Sequence, residues 1–336
     1  MSNKQLAQEN PPPGEAEYIY DLADRLIDKI IKDNPTGIMR RDAHPKLHGV
    51  VKAKFIIEPD LPEQLRIGVF KHPGTYQAWV RFSNQDGSIN PDINRDIRGM
   101  AIKLMGVEGE KLLEQEKEEK TQDFILISTN VFVTRNAEEF DDLIKAFAGG
   151  IFAKVRFFAT HWRVGWNLLK SMKKVANPLQ IRYWSTTPYL FGNTAVKYSA
   201  IPTVEVADPI SKTPQDNFLR GAMIRQLEQG EARFTFTVQL QANADEMPIE
   251  DPGQEWSESV SPFRKVATIK IPKQSFDSEK QREFGENLSY SPWHCLPEHR
   301  PLGGVNRARK VVYHAISTFR HKKNNAPRKE PTSWDI

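Results

Sequence analysis

The sequence of 336 residues contains a single cysteine, Cys295. One thiol excludes an intramolecular disulfide and any zinc or iron–sulfur site that needs several cysteines. The sequence also lacks the Gly-x-Gly-x-x-Gly fingerprint of dinucleotide binding, the phosphate-binding loop and the Gly-x-Ser-x-Gly nucleophile motif. These absences argue against the common nucleotide-dependent enzymes and the serine hydrolases.

Long apolar runs are missing as well. No run approaches the roughly 20 residues that span a bilayer, and the polar, proline-rich segment 1–17 has no apolar core typical of a secretory signal. We therefore expect a cytoplasmic protein. The formal net charge of +4 is too small to indicate a polyanionic partner, so we expect no binding to nucleic acid.

Periodic apolar residues outline one domain between two tails. We predict disordered tails over residues 1–15 and 323–336 and a single domain over residues 16–322. Within the domain, apolar residues recur at helical spacing. They predict helices over 17–32, 137–148 and 151–174, and a C-terminal helix that carries Tyr313.

Six other segments alternate apolar and polar residues, as half-buried strands do. They cover residues 51–57, 76–82, 99–105, 124–127, 233–240 and 265–271. Short strands bounded by glycine, proline, asparagine or aspartate suggest an antiparallel barrel or sandwich. Together with the helices, they predict an α+β fold.

Arg309 and Tyr313 are four residues apart in the predicted C-terminal helix. This spacing places both side chains on one face, where the guanidinium can reach the phenol oxygen. A neighbouring cation stabilises the phenolate, and a phenolate can ligate haem iron. A surface helix with solvated arginines is the alternative explanation.

A second unusual stretch, residues 40–49, contains His44 and His48. Their spacing is that of a helical metal pair, but Pro45 disfavours helix at His44, so we expect extended or irregular backbone and no zinc site. Gly49 indicates a position where the backbone turns sharply or is closely approached by other atoms.

Several motifs, in this order, resemble those of the haem catalase superfamily, in particular its small catalase-related members. Arg41-Asp-Ala-His-Pro-Lys46 resembles the stretch that carries the distal histidine, and Val80-Arg-Phe-Ser83 resembles a strand of the family. Arg95-Asp-Ile-Arg-Gly99 and Arg309-Lys-Val-Val-Tyr313 resemble two further family motifs. The similarity is good over residues 40–140 and in the C-terminal helix, and loose over 150–290.

The resemblance implies a catalase-like barrel whose ferric haem b is bound through Tyr313 as the iron ligand. It further implies Arg309 as the hydrogen-bonding partner of Tyr313 and His44 as the distal acid/base. Arg41 and Arg81 would bind the haem propionates. Phe140 falls where the family has an aromatic ring over the distal face, although an ordinary core position is the alternative.

The sequence departs from the family pattern on the distal side. Ser128 occupies the place of the family's distal asparagine in an ungapped match, and Asn130 follows two residues later. We expect one of these two side chains to orient bound peroxide, although a hydroxyl is a different donor from an amide. Ala43 before His44 offers no hydroxyl to hold the imidazole.

Three activities fit this resemblance: disproportionation of hydrogen peroxide, peroxidation of an organic donor, and rearrangement or cleavage of a fatty-acid hydroperoxide. A non-catalytic haem-binding protein is a fourth possibility, but it would not need His44 as an acid/base. We expect a peroxide or lipid hydroperoxide as the substrate and a homodimer as the assembly.

Residues 151–174 interleave aromatic and basic side chains with no acidic residue. Such a helix can lie in a membrane interface with its aromatic residues inward and its lysines toward anionic headgroups. The alternative is that it packs one face on the barrel while the basic residues cover the rim.

Overall fold

Nine strands form one antiparallel sheet at the centre of the computed structural model, which describes residues 5–336. They are β1 (Leu47–Ile57), β2 (Thr75–Asn84), β3 (Arg98–Met105), β4 (Thr121–Ile127), β5 (Tyr183–Trp184), β6 (Tyr189–Phe191), β7 (Thr194–Pro202), β8 (Ala232–Leu240) and β9 (Arg264–Ile271). All six predicted strands are present. The segment 183–202, which holds β5 to β7, was not predicted.

The sheet closes into an eight-stranded barrel. Its ring runs β1-β2-β3-β4-β5-β7-β8-β9 and returns to β1, while β6 pairs with β7 outside the ring. Inside the barrel, the rings of Phe55, Phe124 and Phe236 pack with centroids 5.0–5.9 Å apart. The structure thus confirms the α+β class and selects the barrel over the sandwich.

Seven α-helices surround the barrel among the described residues. They are α1 (Glu15–Asp33), α2 (Ala137–Ala148), α3 (Gly150–Thr160), α4 (Trp162–Ser171), α5 (Phe218–Gln229), α6 (Glu279–Asn287) and α7 (Gly304–Lys323). Helix α1 confirms the helix predicted over 17–32 and packs against α7 and α2. Its buried stripe of Ile19, Leu22, Leu26 and Ile30 follows the helical repeat.

The helix predicted over 151–174 is divided into two. His161, with ψ of 50°, separates α3 from α4. Its amide still donates to the Phe157 carbonyl at 2.8 Å, and its ring stacks on Phe157 with centroids 4.3 Å apart. Because residue 161 is neither proline nor glycine, the sequence pattern carried no signal for this break.

Both terminal segments contact the folded domain, so the structure differs from the disorder predicted for the described residues 5–15 and 323–336. Glu9 pairs with Arg307 at 2.6 Å, and the buried Glu330 pairs with Lys103 at 2.7 Å. These pairs join residues more than 200 positions apart, which local composition does not reveal.

Candidate active site

One large cavity lies between the outer wall of the barrel and helices α1, α2 and α7. It encloses about 1540 Å³ of space not filled by protein atoms, including open solvent at its mouth. Its lining comes from strands β2, β3 and β4 and from helices α1, α2 and α7, so it lies where several elements meet, as ligand-binding pockets commonly do. Much of its lining is apolar and includes Leu22, Leu26, Ile127, Phe132, Phe140 and Val312.

Residues on one face of β2, β3 and β4 form the barrel wall of the cavity. Ser83 of β2 pairs with Gly99 of β3, and Gly99 pairs with Ile127 of β4. Residues paired in this way project from the same face of a sheet, here toward the cavity. The next residue along β2 toward the N-terminus, Phe82, points the other way and fills the barrel core.

His44 rests on this wall. Its φ of 64° lies in the left-handed region, where a non-glycine residue is held only by its surroundings. The His44 amide donates to the Gln85 carbonyl at 3.1 Å, and Nδ1 lies 3.0 Å from Ser83 Oγ. A Cβ atom on Gly99 would lie 2.6 Å from Nδ1, so only glycine at position 99 admits the ring.

The imidazole of His44 is neutral at physiological pH. Burial lowers its pKa, and the positive charges of Arg81, Arg309 and Arg41 lower it further, to about 3. Since Nδ1 is engaged by Ser83, Nε2 is the ring nitrogen left for a ligand in the cavity.

Arg309 and Tyr313 line the α7 side of the cavity in the contact that their spacing predicted. Arg309 Nη2 donates to Tyr313 Oη at 3.1 Å, while Nη1 donates to Thr187 Oγ1 at 3.3 Å and to Asn306 Oδ1 at 3.2 Å. Burial alone would lower the pKa of Arg309, but the neighbouring phenol of Tyr313 raises it above its ordinary value. The guanidinium therefore stays charged beside the phenol oxygen.

Three arginines, Arg41, Arg81 and Arg320, gather around one carboxylate, Glu286, at the cavity. Arg41 Nη1 lies 3.1 Å from Glu286 Oε1, and Arg320 Nη2 donates to the same oxygen at 2.6 Å. Burial and the nearby charge of Arg41 lower the pKa of Arg81 to about 9. Three cations against one anion leave the cluster with two positive charges.

The structure does not bring Ser128 and Asn130 into the cavity. Ser128 Oγ accepts a hydrogen bond from the Arg98 amide at 2.8 Å, and Asn130 lies at a small separate pocket beside Lys197. Instead, Ile127 occupies the cavity face, because adjacent residues of a strand point to opposite sides. Neither side chain lines the cavity, and a role for either in orienting a peroxide stays a prediction.

Two polar residues of the cavity were missed from the sequence. Arg320 lies seven residues after Tyr313, two turns along α7 and thus on the same face, and this spacing was available as a signal. Gln85 continues the alternation of β2 two residues beyond Ser83, and its amide is the neutral amide side chain on the cavity lining.

The residues present fit a haem group. Its two propionates match the two excess positive charges of the arginine cluster at the cavity. The apolar lining suits the porphyrin, and a tyrosine backed by an arginine is an anionic iron ligand. No cluster of three or more His, Cys, Asp or Glu in residues 5–336 is arranged to hold a metal ion.

Comparisons with known proteins agree with this fold. Residues 17–176 match the catalase family model. The chain is similar in structure to a fungal catalase (16% identity, TM-score 0.63), covering 97% of this chain and 66% of that one. It is also similar to a bacterial catalase (17% identity, TM-score 0.64), with 100% of this chain and 68% of that one covered. A third similar structure is catalase A from Saccharomyces cerevisiae (16% identity, TM-score 0.64), with 98% of this chain and 72% of that one covered.

The chain thus spans about two thirds of the length of these catalases. No curated protein matches it significantly in sequence. Within the described residues, no helix is both long and apolar enough to cross a bilayer.

Proposed function

From the match of residues 17–176 to the catalase family model and the catalase-like fold, we propose that the chain is an oxidoreductase that binds one haem in the cavity and uses it to process peroxides. The observation that carries this proposal is the combination of the Arg309–Tyr313 pair with a neutral His44 on the same cavity. A haem-storage protein would need no such histidine.

Different residues around the cavity would bind the iron and the propionates of the haem. Tyr313 would ligate the iron, Arg309 would support this ligand through its hydrogen bond, and Arg41, Arg81 and Arg320 would bind the propionates. Phe140 packs on Phe132 with centroids 5.8 Å apart and lines the cavity. Ferric haem, when bound, would supply the electron density that favours cleavage of an O–O bond.

His44 moves the proton in this proposal. Its Nε2 accepts the proton of the incoming hydroperoxide and returns it to the departing oxygen, which is a general acid/base role. The low pKa leaves Nε2 free to accept at neutral pH. Ser83 and Gly99 fix the ring, so the nitrogen is positioned before the substrate arrives.

Organic hydroperoxides suit the cavity better than hydrogen peroxide does. Ile127, Phe132 and Phe140 make much of its lining apolar. An alkyl chain would bury apolar surface against these residues. Rearrangement or cleavage of a fatty-acid hydroperoxide is the second candidate, supported by the same lining.

We also propose that residues 16–322 form a single haem domain that assembles as a homodimer. The cavity is lined by residues from Leu22 to Arg320, which supports one domain. Light scattering on the purified protein would measure the assembly, and a monomeric mass would contradict the dimer.

A comparison of substrates tests the function. Haem content and kcat/KM should be measured with hydrogen peroxide, cumene hydroperoxide and a linoleic acid hydroperoxide, on the wild type and on His44→Ala. We expect the organic substrates to be preferred and His44→Ala to lose about a hundred- to ten-thousand-fold in turnover while haem stays bound. Wild-type turnover in the variant on all three substrates would contradict the proposal, and an epoxide or aldehyde product would identify the rearranging class.

A further inference from the structure

Helices α3 and α4 present large apolar side chains to solvent. Phe152 is 87% exposed, Trp162 73% and Leu169 68%. Together with Ile151, Val155 and Trp166, which are also exposed, they form what we call the α3–α4 surface. Single exposed apolar residues are ordinary, but a group of six on two consecutive helices marks an interaction site.

Cations surround this surface without any carboxylate. Residues 149–174 contain no aspartate or glutamate. Of the basic residues there, Arg156, Lys170, Lys173 and Lys174 are exposed and form no ion pair with a described residue. The ammonium group of Lys170 lies 4.9 Å from the ring centroid of Trp166, so the charge stands beside the aromatic face.

We propose that the α3–α4 surface docks on an anionic lipid bilayer. The exposed tryptophans and Phe152 would enter the headgroup region, and the lysines would contact the anionic headgroups. The proposal rests on the proposed function, since it identifies membrane lipid hydroperoxides as the substrate class.

The charge distribution favours a bilayer over a second copy of this chain. In a two-fold symmetric dimer the same patch meets itself, so the unpaired cations would face each other. Interface cores are also depleted in lysine. An anionic bilayer supplies the missing negative charge and accepts the aromatic residues at the same time.

The buried side of these helices connects the surface with the cavity. Phe157 of α3 and Val164 of α4 belong to the same apolar cluster as Phe132 and Phe140. The latter two line the cavity. Hence one apolar cluster reaches from α3 and α4 to the lining of the cavity, which suits a substrate delivered from lipid.

Sedimentation with vesicles tests the proposal. The full chain should be mixed with phosphatidylcholine vesicles and with vesicles containing 30% phosphatidylglycerol, at low and high salt. The aromatic variant is Phe152→Ser/Trp162→Ser/Trp166→Ser, and the charge variant is Lys170→Gln/Lys173→Gln/Lys174→Gln. A matched control changes three exposed apolar residues elsewhere: Tyr20→Ser/Ile38→Ser/Ile89→Ser.

We expect binding to the anionic vesicles alone, weakened by salt, lost in the aromatic variant and unchanged in the control. Each lysine removed should weaken it roughly fivefold, or about a hundredfold for the three. Absence of binding to either vesicle would overturn the proposal, and so would self-association that the aromatic variant abolishes without vesicle binding. Because sedimentation needs no peroxide turnover, these outcomes are independent of whether the proposed enzyme activity is found.

Discussion

Gly99 lies directly against the imidazole of His44. A Cβ atom at position 99 would come within 2.6 Å of His44 Nδ1 and 2.9 Å of Ser83 Oγ. Neither distance is possible without displacement, because the ring of His44 and the hydroxyl of Ser83 already occupy this space. The glycine of the Arg95–Gly99 motif therefore has a physical role, which is to admit the ring of the proposed acid/base.

We predict that Gly99→Ala preserves haem binding but lowers kcat about a hundredfold, because a displacement of about 1 Å in a positioned group has this effect. Steady-state kinetics normalised to haem content would measure it. Gly74→Ala is the matched control, since no atom lies within 4 Å of its added methyl group. Unchanged turnover in Gly99→Ala would show that the ring position does not limit the reaction.

Tyr313→Phe is predicted to lose the characteristic absorption spectrum and most of the bound haem, because it removes the phenolate ligand and retains the shape of the ring. Arg309→Ala should have a milder effect, a roughly ten- to hundredfold loss of haem affinity, since it removes the cation that supports the ligand. The exposed Tyr20→Phe is the control. Retention of spectrum and haem in Tyr313→Phe would disprove the ligand assignment.

The side-chain amide of Gln85 is predicted to assist the substrate on the distal side. Gln85→Leu should lower kcat/KM by up to about tenfold, because the loss of one hydrogen bond to a bound substrate has an effect of this size. Ser128→Ala and Asn130→Ala should leave it unchanged, because neither side chain lines the cavity. The opposite pattern of effects would restore the expectation based on the ungapped match.

Local patterns predicted the parts of the site that depend on local geometry. The Arg309–Tyr313 contact follows from the helical repeat, and β2 and β3 follow from alternation. The position of Ser128 outside the cavity lining has a related cause. It directly follows Ile127, which ends β4 and lines the cavity, and neighbouring residues of an extended segment point to opposite faces.

Features that depend on distant residues could not be predicted in this way. Strand β5 has two residues, too short for periodicity, yet its pairs with β4 and β7 close the barrel. Glu286 meets Arg41 across more than 240 positions of sequence. Such contacts are set by the closed fold and leave no local pattern.

The C-terminal segment is predicted to stabilise the barrel through Glu330. Its carboxylate lies 2.7 Å from Lys103 Nζ, and both side chains are buried. Burial alone would raise the pKa of Glu330, but Lys103 and His294 outweigh this and hold it well below its usual range. Glu330→Gln should therefore lower the free energy of unfolding by about 2 kcal/mol in denaturant titrations.

Glu108→Gln is the control for that measurement, because Glu108 pairs with Lys120 on the exposed surface. Its effect should stay below about 1 kcal/mol. Equal effects of the two substitutions would show that the segment after α7 contributes little to stability.

The pKa values of three histidines predict how the stability of the protein depends on pH. Burial is the largest cause that lowers their pKa values, to about 3 for His44 and His299 and about 4 for His48. In the unfolded chain a histidine titrates near 6.5. Below that pH the unfolded state binds protons that the folded state does not, so stability is full above about pH 6.5 and falls as pH decreases.

Each of these histidines contributes up to about 1.4 kcal/mol per pH unit to the slope of the free energy of unfolding against pH. The three together give a slope of about 4 kcal/mol per pH unit. His299→Gln should remove about a third of this slope between pH 5 and 6.5, because it removes one of the three titrating groups. Glutamine is chosen because Nε2 of His299 accepts a hydrogen bond from the Val69 amide at 3.1 Å, and the glutamine side chain also offers an acceptor. Urea titrations across this range would measure the slope, with the exposed His72→Gln as the matched control. An identical slope in His299→Gln and the wild type would mean that His299 is already charged in the folded protein.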